Sequence, residues 1–408
     1  MPIAISSGLS RIVPARLTKT RSRVYKQHYQ HFIEQHAGQL HCAPHSHHYW
    51  PDLTRAAQLA YWDDSAKGAD HKWDKMFGEV VPEVQQRLAS LLRLSNPSQL
   101  VFAPNTHELL YRVLSCFAPD QPLRILTTDS EFHSFSRQVK RLRERAQVQV
   151  EIVPSQPFDS FAARWQQALT AQSYDVIFIS QVFYNSGVIA PWVGDWLQLV
   201  PTDTVVMIDG YHGIGAIDTD LSQVEDRIFY LGGSYKYLQA GEGCCFMSVP
   251  KNCQLRPEYT GWFADFANLA KPQQAIVEYA NDGYRFAGAT MDLSALYRLR
   301  AVLAWWAQAP LSVVTIHQYV QSLQQEFLAH IDTLQHDFVN RAHLLLNPNA
   351  NDHGHFFTFQ LPSAALVNKI AAELSAQGVH TDYRNDRLRF GFALYHDAAD
   401  YQQIQLAR

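Results

Sequence analysis

Between residues 83 and 250 the chain alternates short apolar runs with segments carrying apolar residues at helical spacing. Val176-Ile177-Phe178-Ile179 and Val205-Val206-Met207-Ile208 contain no polar residue. A strand with one wet face alternates in polarity, so runs of this kind must be covered on both faces. Further strand-like runs are Leu100-Val101-Phe102-Ala103, Arg124-Ile125-Leu126-Thr127, the alternating segment 148–153, Ile228-Phe229-Tyr230-Leu231 and Cys244-Cys245-Phe246-Met247-Ser248-Val249. Helical periodicity intervenes. Pro82 opens a helix with Val84, Leu88, Leu91 and Leu92 on one face, Leu109 to Phe117 repeats at helical spacing, and 134–146 and 161–169 follow. Strands and helices in this order imply a mainly parallel sheet between helical layers.

Beyond residue 290 the pattern changes. Two long helices over 293–309 and 312–336 lead to a strand around Phe356–Leu361, a helix over 363–377 and the strand Leu388-Arg389-Phe390-Gly391-Phe392. The expected division is an N-terminal arm (1–40), a large domain (41–292), and linking helices with a small α+β domain (293–408). The arm is basic. Arg11, Arg16, Lys19, Arg21, Arg23 and Lys26 precede the first acidic residue, Glu34, and a solvated arm packing on a partner subunit is expected.

With 34 basic and 38 acidic residues, the charge balance argues against nucleic acid or an anionic membrane as partner. No apolar run approaches membrane-spanning length. Cys42, Cys116, Cys244, Cys245 and Cys253 are odd in number and lack metal-ligand spacing, which fits buried thiols in a reduced, cytoplasmic protein. His41, His45, His47 and His48 cluster. Without a recognisable metal pattern they read as loop histidines near a pocket mouth, and no metal is expected.

The residues that carry chemistry sit where strands end. Lys236 follows the run 228–231 in Gly232-Gly233-Ser234-Tyr235-Lys236-Tyr237, a poor setting for a surface charge. It suits an amine that must lose its proton and attack a carbonyl. Asp209 ends the run Val-Val-Met-Ile-Asp, at the position where ligands bind in α/β sheets. Together they point to pyridoxal 5′-phosphate (PLP), which needs a lysine, a carboxylate for its pyridine nitrogen, a flat side chain over the ring and donors for its phosphate. Asn105 and Thr106, between a strand and a helix, are candidates for the phosphate. They are also ordinary helix caps, and the two roles are compatible. Phe132 is a candidate to stack on the ring and His212 to support the cofactor, its carboxylate partner or the substrate.

Asp209-x-x-His212 followed by Ser234-Tyr235-Lys236-Tyr237-Leu238 resembles the core of class V, fold-type I PLP enzymes, and within that class most resembles kynureninase. Gly261-Trp262-Phe263, the stretch Arg285 to Thr290 and the strand Leu388 to Tyr395 are similar to segments of the same family, so the resemblance runs in order over roughly 38–405. It implies a fold-type I large domain with a mainly parallel seven-stranded sheet between helices, plus the smaller C-terminal domain. It implies a homodimer with an active site shared between subunits, acting on a small amino-acid substrate. Lys236 would bind the cofactor covalently and shuttle protons, and Tyr235 would contact the phosphate and act as an acid. Asp209 would pair with the pyridine nitrogen, Thr106 would bind phosphate, and Phe132 would stack. Trp262, and Thr290 from the neighbouring subunit, would close the phosphate site. Arg389 would grip the substrate carboxylate, with His45 and Ser46 in the segment lining the substrate site. The implied reaction is hydrolytic cleavage of the Cβ–Cγ bond of a β-acyl amino acid, kynurenine or an analogue, giving alanine and an acid.

The chain departs from that family at two places. Phe135 stands where an acid is expected near the cofactor. Ala43-Pro44-His45-Ser46-His47-His48 replaces a segment resembling Asp-Gly-Asn-Ser-Leu-Gly. The alternative is a class V aminotransferase or another PLP-dependent lyase. A cysteine desulfurase would need a mobile cysteine in the C-terminal half, and none follows Cys253. A binding protein that keeps the fold without the chemistry would have no need of Lys236 and Asp209.

Overall fold

The computed structural model describes residues 23–268, 275–347 and 353–407. Its centre is a seven-stranded sheet of β1 (Leu100–Ala103), β2 (Leu123–Thr128), β3 (Val148–Val153), β4 (Val176–Ser180), β5 (Val205–Asp209), β6 (Ile228–Gly233) and β7 (Cys245–Ser248). The spatial order is β1-β7-β6-β5-β4-β2-β3. Only β7 runs against the others.

The unbroken apolar runs have the expected cause. Ile177, Ile179, Val206 and Ile208 pack into the core on one face of the sheet. Val176, Phe178, Val205 and Met207 pack into a second core on the other face. Strand β3, at the sheet edge, is only half-buried, and its alternation in sequence is not kept in burial, since Ile152 is exposed. Helices α1 (Leu53–Gly68), α2 (Val81–Leu92), α3 (Thr106–Leu114), α4 (His133–Leu142) and α5 (Phe161–Ala171) come from the same part of the chain. Helix α4 is shorter than the sequence pattern predicts: the chain turns after Leu142, where a basic segment with no apolar spacing gives nothing to bury.

Helices α6 (Ser294–Gln308) and α7 (Val313–Leu334) lead to a three-stranded antiparallel sheet of β8 (Phe356–Gln360), β9 (Asp382–Arg384) and β10 (Arg387–Gly391), with α8 (Ala364–Ala376) between β8 and β9. Helix α7 opens on a reciprocal cap between Ser312 and Thr315. No single helix among the described residues is long and apolar enough to cross a membrane. The N-terminal segment is tied to this second sheet region, because Leu40–His41 pairs in parallel with Val379–His380.

Of the basic arm, Lys26 is among the described residues. Lys26 does not reach away from the chain. Its amine is 2.6 Å from Asp400 and 3.5 Å from Asp397, so it closes the two ends of the same chain together. Arg11, Arg16, Lys19 and Arg21 lie outside the described residues.

Phe135 stands outside the chemistry altogether. It is fully buried, and its ring lies flat on that of Phe178, with centroids 3.6 Å apart. It occupies a core position on the α4 side of the sheet, so its place in the sequence marks packing rather than a lost catalytic acid. Phe178→Ala removes one ring of this stack from a site that cannot collapse. It is expected to cost about 3–5 kcal/mol, read as a lowered urea midpoint; an unchanged midpoint would show that the stack contributes nothing.

Candidate active site

Strands β1, β2, β4, β5 and β6 end at one edge of the sheet, and antiparallel β7 begins there. A cavity of about 180 Å³ opens at this edge, lined by residues that include Asn105, Thr106, Phe132, Ser180, Asp209, His212, Tyr235, Lys236 and Cys245. Residues from several strand ends thus converge because parallel strands deliver their C-termini together.

Lys236 is 4% exposed. Its Nζ lies 2.8 Å from His212 Nε2 and 5.0–5.6 Å from the ring centres of Phe132, Tyr211 and Tyr235. Burial brings its pKa down to about 7, against the pull of Asp209 in the other direction. His212 is held well below the ordinary imidazole range by burial and by Lys236, so it is neutral and can accept from the amine. Asp209 ends β5, and its Oδ1 accepts from the Tyr211 N–H at 2.9 Å. Burial pushes this carboxyl up, while the Tyr211 N–H and Lys236 hold it down. The close turn beside it needs Gly210, where a Cβ would stand 2.0 Å from the Tyr230 ring.

The opposite wall is built from helix starts. Asn105 caps α3, accepting from the Glu108 N–H at 3.0 Å. The Thr106 and Ser134 hydroxyls line the cavity and have no side-chain hydrogen bond among the described residues. Open hydroxyl donors beside two helix N-termini suit an anionic group. A flat ring (Phe132), a buried carboxylate (Asp209), a deprotonatable amine (Lys236) and this anion wall are the four elements PLP requires, so the residues fit the cofactor.

Other predicted residues lie elsewhere. Trp262 is 46% exposed and packs on Phe263 and Phe266. It stands apart from the Lys236 cavity, as does Thr290, which is exposed and lines a separate surface cleft with Gly261 and Gly288. In this chain neither reaches the cofactor wall. Arg389 sits behind the cavity, buried, donating to the Tyr184 carbonyl at 2.5 Å and to the Asp382 carboxylate. His45 is buried against Phe356 with Nε2 3.5 Å from Asp382, too long for a hydrogen bond. Gly391 makes room for it, since a Cβ there would stand 2.4 Å from the His45 ring. Ser46 is half-buried; among the described residues its hydroxyl bonds to neighbouring His47 and its N–H donates to the Ala43 carbonyl. The four clustered histidines diverge: His41 bonds Tyr395, His48 donates to the Tyr49 carbonyl, and His47 lies over the Tyr235 ring.

Sequence reasoning passed over Glu131 and Cys245. Glu131 is buried beside the cavity, accepting from Thr128 Oγ1 and Ser180 Oγ, and burial raises its pKa to about 8. Its position next to Phe132 at a strand end was the available signal. Cys245 lies 3.4 Å from the Tyr211 hydroxyl, and burial pushes its thiol up to about 12. It carries no thiolate near neutral pH.

A model of the family described as "Aminotransferase class-V" matches residues 49–383. The chain belongs to the class-V aminotransferase family. Family members depend on PLP, which is therefore the cofactor of this chain. Isopenicillin N epimerase from Streptomyces clavuligerus is 26% identical over 198 residues, 46% of this chain and 49% of that protein. The match spans about half the length of this curated relative. Cysteine desulfurase CsdA from Escherichia coli superposes with a TM-score of 0.77 at 14% identity, over 94% of this chain and 96% of that one. C-DES with glycine covalently linked to its PLP cofactor, in a lysine-to-alanine mutant, gives 0.75 at 16%, over 91% and 98%. At these identities the structural likeness shows the fold alone. The family model establishes the family, and none of these comparisons shows the kynureninase branch within it.

A pKa near 7 sets the direction of a pH dependence. Below it Lys236 is protonated and unreactive, and above it the amine is free. Covalent capture of PLP by the cofactor-free protein should speed up between about pH 6 and 8 and then level off, whereas an ordinary lysine gains reactivity up to about pH 10. A stopped-flow pH profile rising without a plateau would contradict a depressed pKa.

Proposed function

We propose that the protein is a PLP-dependent amino-acid lyase or aminotransferase that works by moving the α-proton of its substrate. One observation carries the reading: a buried amine, whose pKa burial lowers well below that of an ordinary lysine, lies 2.8 Å from a neutral histidine in the cavity that also receives Asp209. Bound PLP supplies an electron sink conjugated to the substrate amino group. Asp209 holds the pyridine nitrogen and favours its protonated form. Asn105, Thr106, Ser134 and the start of α3 hold the phosphate, and Phe132 covers the ring.

Lys236 would anchor the cofactor and, as a free amine, would be the base for the substrate α-hydrogen. His212 accepts a hydrogen bond from Lys236 and keeps its lone pair directed into the cavity. Burial keeps the Tyr235 phenol protonated over the working pH range, so it is the donor available for a leaving group. Phe132, Tyr184 and Tyr211 line the cavity and would keep its apolar wall against the substrate. An enzyme named an epimerase and a PLP protein described as a cystine C–S lyase, among the similar proteins, are consistent with chemistry that starts at the α-carbon.

Kynureninase-type hydrolysis is the second reading. It is favoured by the Gly261-Trp262-Phe263 and Arg285 to Thr290 segments, which pack together through the Phe263 N–H and the Gly288 carbonyl at 3.0 Å. Release of alanine from kynurenine, against formation of a 2-oxo acid or an elimination product from other amino acids, separates the two.

The core of the proposal is tested by α-hydrogen exchange in deuterated water, followed by mass spectrometry across the common amino acids. Exchange into at least one of them is expected for the wild type. Lys236→Ala should slow it by about 10²–10⁴-fold, the usual worth of a positioned base. Exchange at the wild-type rate in Lys236→Ala would remove Lys236 from the reaction.

A further inference from the structure

A second cavity, of about 320 Å³, lies where the start of α1 passes the segment that precedes it, and it shares no lining residue with the Lys236 cavity. Its volume is that of a small-molecule site. Phe32, Trp50 and Leu59 give it apolar walls, and Asp52, Arg55 and Arg298 are the charged residues that line it. The Phe32 and Trp50 rings stand 5.9 Å apart at 48°, so two flat surfaces border one space. Leu59 is 53% exposed, an apolar side chain left in water beside them.

The three charged residues are not alike. Arg298 is buried and its nitrogens are spent: Nε donates to the Ala240 carbonyl at 2.8 Å, Nη1 to Gln58 Oε1 and Nη2 to the Glu242 carbonyl. The Asp52 carboxylate accepts from the N–H groups of Gln30 and His31, each at 2.9 Å. Arg55 is exposed, and among the described residues its guanidinium has neither a carboxylate nor a carbonyl partner. An unpaired planar cation at the rim of an apolar cleft favours a flat apolar body that carries a carboxylate, which the guanidinium can hold through two parallel bonds.

The same cleft is wired to the active site. Arg298 holds the carbonyls on either side of Gly241, and Gly241 itself, at φ +71°, makes room for Trp50, since a Cβ there would stand 2.3 Å from the indole. The Ser234 hydroxyl, two residues before Lys236, donates to the Gly241 carbonyl. Glu242 and Gly243 in turn line the Lys236 cavity. Residues 240–243 thus touch the walls of one cavity and form a wall of the other.

We infer that this cleft is a separate binding site for an aromatic monocarboxylate, with its ring against Phe32 and Trp50 and its carboxylate on Arg55, and that its occupancy reaches the Lys236 cavity through residues 240–243. The inference goes beyond the proposed function and does not depend on which reaction the active site performs.

The test is calorimetric titration of the holoenzyme with benzoate and indole-3-carboxylate, against benzamide, which has the ring without the charge, and acetate, which has the charge without the ring. The aromatic acids should bind more tightly than either. Arg55→Ala should raise their Kd by about 3–10-fold, the worth of a charged hydrogen bond at an exposed site, and leave benzamide unchanged. Leu59→Glu is an exposed substitution that sets an anion one helical turn from Arg55, and it should abolish acid binding. The visible cofactor band should shift as the site fills, and the shift should be lost in Leu59→Glu. Wild-type affinity for the aromatic acids in both variants would place them elsewhere, the Lys236 cavity included, and overturns the inference. A changed sedimentation coefficient in Leu59→Glu would assign the cleft to a contact between copies and overturns it too. Binding that both variants weaken, with no response of the cofactor band, overturns the link to the active site.

Discussion

An amine that must act as a nucleophile and base near neutral pH has to be taken out of water, and the burial of Lys236 is the constraint on which the rest of this structure turns. Burial is the largest influence lowering its pKa, and the neighbouring Asp209 works against it. Both groups therefore have to sit in the same dry place. A mainly parallel sheet provides one, because helices cover its two faces and leave only the carboxyl edge for a polar cavity. The unbroken apolar runs of β4 and β5 and the position of Asp209 at the last residue of β5 are two consequences of that single requirement.

Much of this was legible in the sequence because it is encoded locally. A run without polar residues is a strand buried on both faces, and a lysine in the glycine-rich turn after such a run is held where a solvated charge would not be. Asn105 before a helical repeat announces both a cap and an anion wall. What was not legible depends on long-range register. That Arg389 meets Asp382 follows from how β9 and β10 pair, which seven residues of separation do not reveal. Phe135 occupies an acid's place in the sequence, and only the turn of α4 points it at Phe178. Lys26 looks solvated in the sequence because Asp397 and Asp400 are remote in the chain and adjacent in the fold. Trp262 and Thr290 matched family segments, yet a segment match carries no information on which cavity, or which subunit's cavity, a side chain serves.

The histidine content follows the same logic. His45, His48 and His212 are buried, and burial lowers the pKa of each. A protonated imidazole beside Lys236 would depress the amine further and leave a buried cation without a counter-ion. Neutral rings carry no charge cost, and they pack flat against Phe356 and edge-on against Tyr395.

The Asp382–Arg389 pair completes the electrostatic argument. Arg389 alone would lower the Lys236 pKa and Asp382 alone would raise it, and the two act on the amine in opposite directions. Held together across one strand pair, they act behind the larger effects of burial and Asp209. The protonation of Lys236 is therefore a property of the whole packed carboxyl edge of the sheet and of the strand pair beside it, and not of any one neighbour.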